Sequence, residues 1–570
     1  MADTGTTIRA VRPIQQSFPL ALFPVPAASY ESKGVVYTKR WVVELVLGLA
    51  GYMSDKNLVD SVAVEPSAGG GAFLGPMIER LMDCCVRLNR PAIDCRSSLV
   101  AYELDEASAQ RARDLSTRVL SDRGVDGLTA KSLADSWVRT GDYLVDSMMI
   151  EADYVIGNPP YVRLEEIPEE MAQFYRSAFP TMRGRADLYI GFFEAALRQL
   201  KRGGTCAFIC ADRWMRNQYG AELRELITSA FSVDAIIEMH SADAFDDEVD
   251  AYPAISILRH RTQGSTVVAR LGPEVAGLPS DALVHALVED GSKLSHARPA
   301  GLQTARVETW FRGSDPWPCQ SPEQLALLRE LEERYLPLEA NARVGIGVAT
   351  GSDKVFITKD SGLVEPQRLL KLALASDIRS GTMKWSGHYL VDPWNCEGLV
   401  PLAGYPKLHT YLLRHEEALR ERHTAQKSQS SWYKTIDRVT HSLTQKPKLY
   451  IADIKDQLNP VLDSGETYPH HNLYYVESDV WNLEVLGGLL ISEIGQFFVE
   501  SYGVRMRGGY LRFQAQYLRR IRVPTPDSIS EGDQEALIQA FRERDRDLAT
   551  QSAVRIYGIE KRRLEIALGH

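Results

Sequence analysis

The chain has 570 residues, more than one ordinary hydrophobic core accommodates, so two to four domains are expected. Its 44% hydrophobic and 25% charged residues are typical of a soluble globular protein. There is no run of eighteen apolar residues and no apolar signal-peptide centre near the start, which predicts a cytoplasmic protein. Seven cysteines without a CxxC pair favour neither a disulfide framework nor a zinc site.

Strand and helix patterns alternate between residues 61 and 260. Short apolar runs predict strands at 61–66, 98–104, 153–158, 205–212, 233–240 and 254–260. The helical patterns between them indicate a mostly parallel α/β sheet with helices on both faces. The last two strands are closely spaced, which predicts a hairpin at one edge of that sheet.

From about residue 265 the alternation is lost. Helical patterns at 321–335, 365–376 and 405–423 mix with short strands such as KLYIADI and LYYVES, which predicts a second, α+β domain. Residues 530–570 have the pattern of a charged helical tail. The domains expected are an N-terminal extension, a catalytic domain, a second domain and a C-terminal tail, at residues 1–32, 33–262, 263–525 and 526–570.

Polar groups follow the ends of the predicted strands. In VAVEPSAGGGAF, glycines come directly after the first strand, where backbone N–H groups of the next helix are able to approach a ligand. The spacing is neither GxGxxG nor a P-loop. An acid at the tip of the second strand, Glu103, typically binds a ribose hydroxyl pair, and Asp142 is placed to accept from an adenine amino group. Each signal alone is also typical of an ordinary turn or an exposed charge.

The run VIGNPPYV at residues 155–162 ends a strand with Asn158, Pro159, Pro160 and Tyr161. A residue before proline is extended, and proline fixes its own φ and has no donor N–H. The tetrapeptide is therefore a rigid turn that presents one amide and one aromatic ring. It lies at the edge where ligands of open α/β sheets bind.

The glycine loop, Glu103, Asp142 and NPPY occur in the order of the S-adenosylmethionine-dependent amino-methyltransferases. More narrowly, the chain resembles the TaqI-like and Eco57I-like N6-adenine DNA methyltransferases of restriction–modification systems, in the gamma-class order. The resemblance continues in GVVYTKRWVVELVL (34–47), RADLYIGFFEAALRQLKRGG (185–204) and DAFDDEVDAYPAISIL (243–258), and more loosely in RVGIGVATGSDKVFI (343–357), SWYKTIDR (431–438) and GGYLRFQAQYLRRIRVP (508–524).

The resemblance implies a Rossmann-like class I SAM-dependent methyltransferase domain followed by an α+β target-recognition domain. It implies a site-specific DNA methyltransferase that transfers the methyl group of S-adenosyl-L-methionine to N6 of an adenine flipped out of double-stranded DNA. The expected setting is a restriction–modification system in a bacterium or archaeon, with a separately encoded restriction endonuclease as a partner. A monomer is expected.

The resemblance also implies residue roles. The side chain of Asn158 and the carbonyl of Pro159 would accept from the target amine, with Pro160 and Tyr161 completing the catalytic set, and Tyr161 and Phe245 would stack on the base. The implied cofactor-binding residues are Tyr37, Thr38, Glu65, Ser67, Gly69, Gly71, Glu103, Leu104, Asp142, Tyr143 and Asn158. Because three glycines are consecutive, the sequence leaves open which of them allows the backbone to approach the cofactor closely.

Six arginines and no acid lie between residues 505 and 522, interleaved with aromatic residues. A solvated charged face and a phosphate-contacting surface are both consistent with this pattern, although the net charge of −10 argues against a purely electrostatic DNA binder. The residues predicted to bind DNA are Arg505, Arg507, Arg512, Arg519 and Arg520.

Other functions remain open at this point. An NPPY methyltransferase of RNA or of a protein glutamine, methylation of cytosine N4, a methylase core without activity, and a bifunctional methylase-nuclease are the alternatives. The triplets Glu31-Ser32-Lys33 and Asp453-Ile454-Lys455 match a nuclease pattern by chance. No metal is expected, because the adjacent His470 and His471 would point apart on a strand and no third ligand is evident.

Overall fold

A computed structural model of the chain describes residues 38–246, 252–288, 299–318, 321–426, 429–503 and 510–568. None of the helices in these ranges has the length and apolar character of a transmembrane span. The N-terminal extension, Tyr37, Arg505 and Arg507 lie outside the described residues.

A nine-stranded sheet dominates the first half of the chain, in the order β3-β2-β1-β4-β5-β7-β6-β8-β9. All strands run in one direction except β7 and β9. The strands are β1 Ala63–Glu65, β2 Leu99–Glu103, β3 Val138–Thr140, β4 Ala152–Gly157, β5 Leu200–Ala211, β6 Ser232–Glu238, β7 Pro253–Arg259, β8 Thr266–Leu271 and β9 Leu302–Val307.

Helices cover both faces of this sheet, as the sequence predicts. Because successive side chains of a strand point to opposite faces, Phe208 of β5 lies in one core and Ile209 in the other. The helices are α1 Arg40–Ala50, α2 Leu74–Leu88, α3 Glu106–Asp122, α4 Gly127–Trp137, α5 Tyr143–Asp146, α6 Glu169–Ala178, α7 Tyr189–Gln199, α8 Arg213–Arg216, α9 Ala221–Ala230 and α10 Ser280–Val288. Helices α1–α4 and α10 pack on one face, and α5–α9 pack on the other.

The predicted hairpin is confirmed as a pairing and wrong in its position. Strands β6 and β7 pair antiparallel, but β7 is inserted between β5 and β6, inside the sheet. The reason is that β7 is buried along nearly its whole length, and the backbone N–H and C=O groups of a buried strand need hydrogen-bond partners on both sides. Strands β8 and β9 then extend the sheet to Val307, beyond residue 262, where the catalytic domain was expected to end. Strand β3 was not predicted.

The second half contains two four-stranded sheets, in the orders β11-β19-β15-β17 and β12-β14-β13-β18, and two short ribbons, β10-β21 and β16-β20. The strands are β10 Leu336–Pro337, β11 Arg343–Ile346, β12 Ile357–Thr358, β13 Leu369–Ala373, β14 Tyr389–Val391, β15 Lys448–Ala452, β16 Ile454–Lys455, β17 Val461–Asp463, β18 Tyr468–Pro469, β19 Leu473–Glu477, β20 Leu511–Arg512 and β21 Arg522–Val523.

The helices of the second half pack around two further cores, one on each four-stranded sheet. They are α11 Pro322–Arg334, α12 Asp353–Phe356, α13 Pro406–Leu413, α14 Glu416–Arg420, α15 His423–Gln426, α16 Ser442–Gln445, α17 Leu483–Ile491, α18 Glu493–Tyr502, α19 Ala515–Leu518, α20 Glu531–Glu543, α21 Arg546–Tyr557 and α22 Lys561–Leu568. The helix predicted at 365–376 is wrong: the segment forms β13, because pairing with β14 and β18 outweighs the helix propensity of LLKLA.

The C-terminal helices α20–α22 belong to the core of the second half and do not stand apart as a tail. Leu537, Phe541, Ala553 and Leu564 are at most 3% exposed and lie in the same core as α17 and α18. Residues 531–568 are therefore part of that folded unit.

Candidate active site

The glycine loop after β1 has two residues that need glycine. Gly69 and Gly71 have φ values of 53° and 88°, in the left-handed region that glycine adopts without strain. A Cβ on Gly71 would lie 2.5 Å from Cδ2 of Leu115, so this glycine also allows α3 to approach. A Cβ on Gly69 would meet nothing within 4 Å. Of these two glycines, Gly69 is therefore the one beside open space at the carboxyl edge of the sheet.

Glu103 joins this loop to the end of β2. Its Oε2 accepts from the backbone N–H of Gly69 at 2.7 Å, and its Oε1 accepts from the N–H of Asp105 at 3.0 Å. The next residue, Leu104, is 42% exposed. An anchored carboxylate beside an exposed apolar side chain suits the ribose and the base of a nucleoside.

Glu65 at the end of β1 is the most unusual charge at this edge. The side chain is 1% exposed, and Oε2 has no hydrogen-bond partner among the described residues. Burial, reinforced by the charge of Glu103, raises the pKa of Glu65 well above its ordinary value. A buried carboxyl oxygen without a partner is costly, and a cationic ligand group would satisfy it. The residues present thus fit a cofactor that carries an ammonium group.

Asp142 and Tyr143 occupy the start of α5. Asp142 caps this helix by accepting from the N–H of Leu144 at 2.9 Å, and it also accepts from the hydroxyl of Tyr175. Burial raises the pKa of Asp142, and these hydrogen bonds oppose the increase. The ring of Tyr143 is 2% exposed and packs 5.2 Å from that of Phe192, centroid to centroid. The ring belongs to the core, so a ligand contact from Tyr143 would go through its backbone.

Asn158 is tied to both neighbouring segments. Its backbone carbonyl accepts from Oγ of Ser67 at 2.8 Å, and its Nδ2 donates to Oγ1 of Thr38 at 3.2 Å. Thr38 in turn forms an isolated antiparallel bridge with Phe245. The fold therefore brings the glycine loop, the segment before α1 and NPPY together.

Tyr161 and Phe245 also meet, with ring centroids 6.5 Å apart. Their planes are inclined by 78°, so in this structure they do not form two parallel walls. Phe245 is 8% exposed, and burial raises the pKa of Tyr161. Tyr161 also packs edge-on against Tyr189, with ring centroids 6.3 Å apart.

The arginines that were predicted to bind DNA and that the structure describes each form an ion pair with a carboxylate of this chain. Arg512 pairs with Asp453 at 2.8 Å, Arg519 with Glu339 at 3.1 Å, and Arg520 with Asp315 at 3.5 Å. The aromatic residues between them, Phe513 and Tyr517, are at most 3% exposed and belong to the core. The acids are supplied by distant parts of the chain, which the local sequence does not reveal. The acid of the nuclease-like triplet at 453–455, Asp453, is thus engaged in an ion pair with Arg512.

The sequence argument missed a buried cluster at the ends of β5 and β6. The ring of His240 contacts Asp212 through Nε2 and Glu238 through Nδ1, each at 3.0 Å. Burial by itself would lower the pKa of His240, but the two carboxylates outweigh it and raise the pKa to about 9. Burial likewise opposes the shift of Glu238, whose pKa falls to about 2 beside His240 and Arg270. No sequence motif marks the cluster, because Asp212 follows β5 whereas Glu238 and His240 lie at the end of β6.

The premise against a metal site at His470 and His471 is wrong. His470 ends a bridge with Val348, but His471 is already in the following turn, so the two rings do not alternate across a strand. Their centroids are 4.0 Å apart, and Asp353 lies beside them as a third donor.

The nine-stranded sheet, its carboxyl-edge loops and the appended α+β unit define a class I methyltransferase domain with a C-terminal domain. Residues 135–245 match the Eco57I restriction-modification methylase family, and residues 408–523 match the TaqI-like C-terminal specificity domain. Relatives that are 37–40% identical over 94–95% of this chain show that it belongs to the type II methyltransferases of restriction–modification systems.

Relatives match along nearly the whole chain. The type II methyltransferase M.PaeR7I of Pseudomonas aeruginosa is 40% identical, over 95% of each chain. M.XhoI of Xanthomonas vasicola is 39% identical, over 94% of this chain and 99% of the relative. Among solved structures, the type IIL restriction-modification enzyme MmeI in complex with DNA has a similar fold, with a TM-score of 0.50 and 11% identity, over 93% of this chain and 73% of that one.

Proposed function

We propose that this chain is a site-specific DNA methyltransferase that transfers the methyl group of S-adenosylmethionine to N6 of adenine in double-stranded DNA. In a restriction–modification system this would protect host DNA from a separately encoded endonuclease. The observation that carries the proposal is Asn158 at the carboxyl end of β4, hydrogen-bonded to Ser67 of the glycine loop and to Thr38. The full-length relatives, all named type II methyltransferases, support it.

The cofactor would lie along the ends of β1 and β2. Glu65 would bind the ammonium group, Glu103 the ribose hydroxyls, and Leu104 one face of the adenine. Asp142 would accept from the adenine amino group while it remains bonded to Tyr175. When bound, S-adenosylmethionine supplies an electrophilic methyl group on a sulfonium.

The contribution expected of this chain is to position the exocyclic nitrogen of the target base. The exocyclic nitrogen of adenine is a poor nucleophile because its lone pair is delocalised into the ring. If Oδ1 of Asn158 and the carbonyl of Pro159 accept its two hydrogens, the nitrogen becomes pyramidal and its lone pair points at the methyl group. Effective molarities of well-oriented groups are large, so a rigid Pro-Pro turn is an advantage. No base with a tuned pKa is needed before the transfer.

The target base must leave the duplex to reach this turn. Unstacking costs a few kcal/mol, and stacking on an aromatic ring returns roughly 1–3 kcal/mol per base. Tyr161 would supply that stacking, and Phe245 would have to turn from its edge-on position to cover the second face. The second domain would read base edges in the major groove, and DNA deformation would add to specificity.

The test is modification-sensitive sequencing of DNA from a methylation-free host that expresses this chain. The expected result is N6-methyladenine at one short sequence, lost with Asn158→Ala and kept with the surface control Asn57→Ala. Methylcytosine at a defined sequence would assign the cytosine alternative. Unmodified DNA together with labelled RNA or protein would overturn the proposal, and magnesium-dependent cleavage would add a nuclease.

A further inference from the structure

Three side chains of the types that ligate metals form a cluster in the second half of the chain, and none of them belongs to the residues assigned above to the cofactor or the target base. The donor atoms of Asp353, His470 and His471 all lie within 4.8 Å of one another. We propose that these three residues bind one divalent transition-metal ion, such as zinc.

The buried member of the cluster is His470, which is 5% exposed. Its Nδ1 has no hydrogen-bond partner among the described residues, and its Nε2 lies 3.3 Å from Oδ2 of Asp353, at ion-pair distance. Buried ring nitrogens normally donate to or accept from a partner. An ion between the imidazole and the carboxylate would satisfy both groups.

The other two members are held in place by their surroundings. Asp353 is the first residue of α12, and its Oδ1 accepts from the hydroxyl of the buried Thr350, which leaves Oδ2 on the side of His470. The backbone N–H of His471 donates to the carbonyl of Val348 at 3.0 Å, which fixes the turn that carries its ring. The three ligands therefore come from two segments that the backbone already joins.

The donor set selects the class of ion. Two imidazoles and one carboxylate suit zinc and similar transition metals, at bond lengths of about 2.0–2.2 Å. Calcium and magnesium prefer sites built from oxygen. Three protein ligands leave a fourth position for water.

The ion would connect loops that resemble the recognition motifs. The segment before Asp353 bonds to the SWYKTIDR segment, where the N–H of Asp437 donates to the carbonyl of Ala349 at 3.1 Å. The exposed Ile436 lies on the same loop. A bound ion would hold residues 348–353 against the turn at 470–472 and so stabilise this exposed surface.

The experiment uses the full-length protein, stripped with a chelator and titrated with Zn²⁺ and, for its visible absorption, Co²⁺. The expected result is one ion per chain in this site, imidazole ligation in the Co²⁺ spectrum, and a rise in Tm on adding Zn²⁺. His471→Ala, at an exposed position, should weaken binding at least tenfold and remove the rise in Tm while the metal-free Tm stays unchanged. Asp353→Asn should weaken binding similarly, and the exposed His423→Ala serves as the matched control.

The proposal is overturned if the wild-type protein binds no ion, or if His471→Ala and Asp353→Asn bind as tightly as wild type. Any zinc held by the buried cysteines is subtracted, because it is common to all variants. None of these readouts depends on methyl transfer, so the metal site and the proposed function fail separately.

Discussion

Glu65 and His240 are both buried near the carboxyl edge of the large sheet. The pKa of each is raised, which disfavours the charged form of Glu65 and favours the charged form of His240. The pKa of Glu65 is raised because burial and the neighbouring Glu103 both oppose its ionisation. The pKa of His240 is raised because its carboxylate partners outweigh burial. The raised pKa thus favours the neutral form of Glu65 and the charged form of His240, which leads to two residue-scale predictions.

If Glu65 binds the ammonium group of the cofactor, binding favours the ionised carboxylate, so it releases a proton at every pH at which the raised pKa keeps the free carboxyl protonated. Affinity for S-adenosylmethionine should therefore rise with pH until Glu65 ionises by itself. Calorimetry in buffers of different ionisation enthalpy should show proton release with wild type and none with Glu65→Gln, which should also bind at least tenfold more weakly. Equal proton release by both proteins would contradict this role.

His240 should make stability depend on alkaline pH. Its folded pKa of about 9 exceeds the ordinary value of 6.5, so its contribution is full below about pH 6.5 and is lost as the pH rises through about 9. At about 1.36 kcal/mol per pKa unit, the loss is at most about 3 kcal/mol. The charged groups facing this cluster are Asp212, Glu238, Arg216 and Arg270.

Thermal unfolding between about pH 6 and pH 10 checks this prediction. The Tm of wild type should fall over the alkaline part of the range, and that part of the fall should be absent in His240→Gln. The exposed His423→Ala is the control and should keep the wild-type slope. Identical slopes for wild type and His240→Gln would show that the cluster does not control alkaline stability.

At the scale of elements, helix α17 and helix α20 approach through glycine. A Cβ on Gly488 would fall well inside contact distance of the backbone carbonyl of Leu537, and a carbonyl cannot move aside as a flexible side chain does. Gly532 lies in α20 itself, and a Cβ there would meet nothing within 4 Å. The two positions form a matched pair with the same chemical change.

Gly488→Ala should therefore destabilise the protein by about 1–3 kcal/mol, as overpacking of a core does. Gly532→Ala should be neutral or stabilise by up to about 1 kcal/mol, since alanine is the better helix former. Chemical denaturation of both variants beside wild type measures the difference. Equal stability of the two variants would mean that α17 and α20 are not packed this closely.

At the scale of the whole molecule, the C-terminal helices complete one of the two cores of the second half. A chain ending at residue 525 would expose the apolar surface that Leu537, Phe541 and Tyr557 cover. Large exposed apolar patches lead to aggregation. The truncated chain should therefore be mostly insoluble, although its sequence contains every predicted catalytic residue.

Expression of residues 1–525 with and without a separate 526–570 peptide tests this prediction. The soluble fraction and the elution volume on gel filtration should recover when both pieces are present. A soluble, monomeric chain of residues 1–525 with wild-type Tm would show that the C-terminal segment is a dispensable tail.

The sequence by itself determined the alternation of strands and helices in the catalytic half, the family resemblance, and the order of Glu65, Glu103, Asp142 and Asn158 along the chain. These features are local: a period of two or 3.6 residues, a strand end and a Pro-Pro turn are encoded in neighbouring positions. Such patterns predicted that polar groups would meet at one edge, because parallel strands end on the same side.

Only the tertiary structure decided what depends on distant partners. It inserted β7 into the sheet, made 369–373 a strand, and gave Arg512, Arg519 and Arg520 carboxylate partners from elsewhere in the chain. It also brought Asp353 to His470 across more than a hundred residues. The physical reason is the same in each case: pairing and charge neutralisation across the fold outweigh local propensity, and one stretch of sequence does not contain the partner.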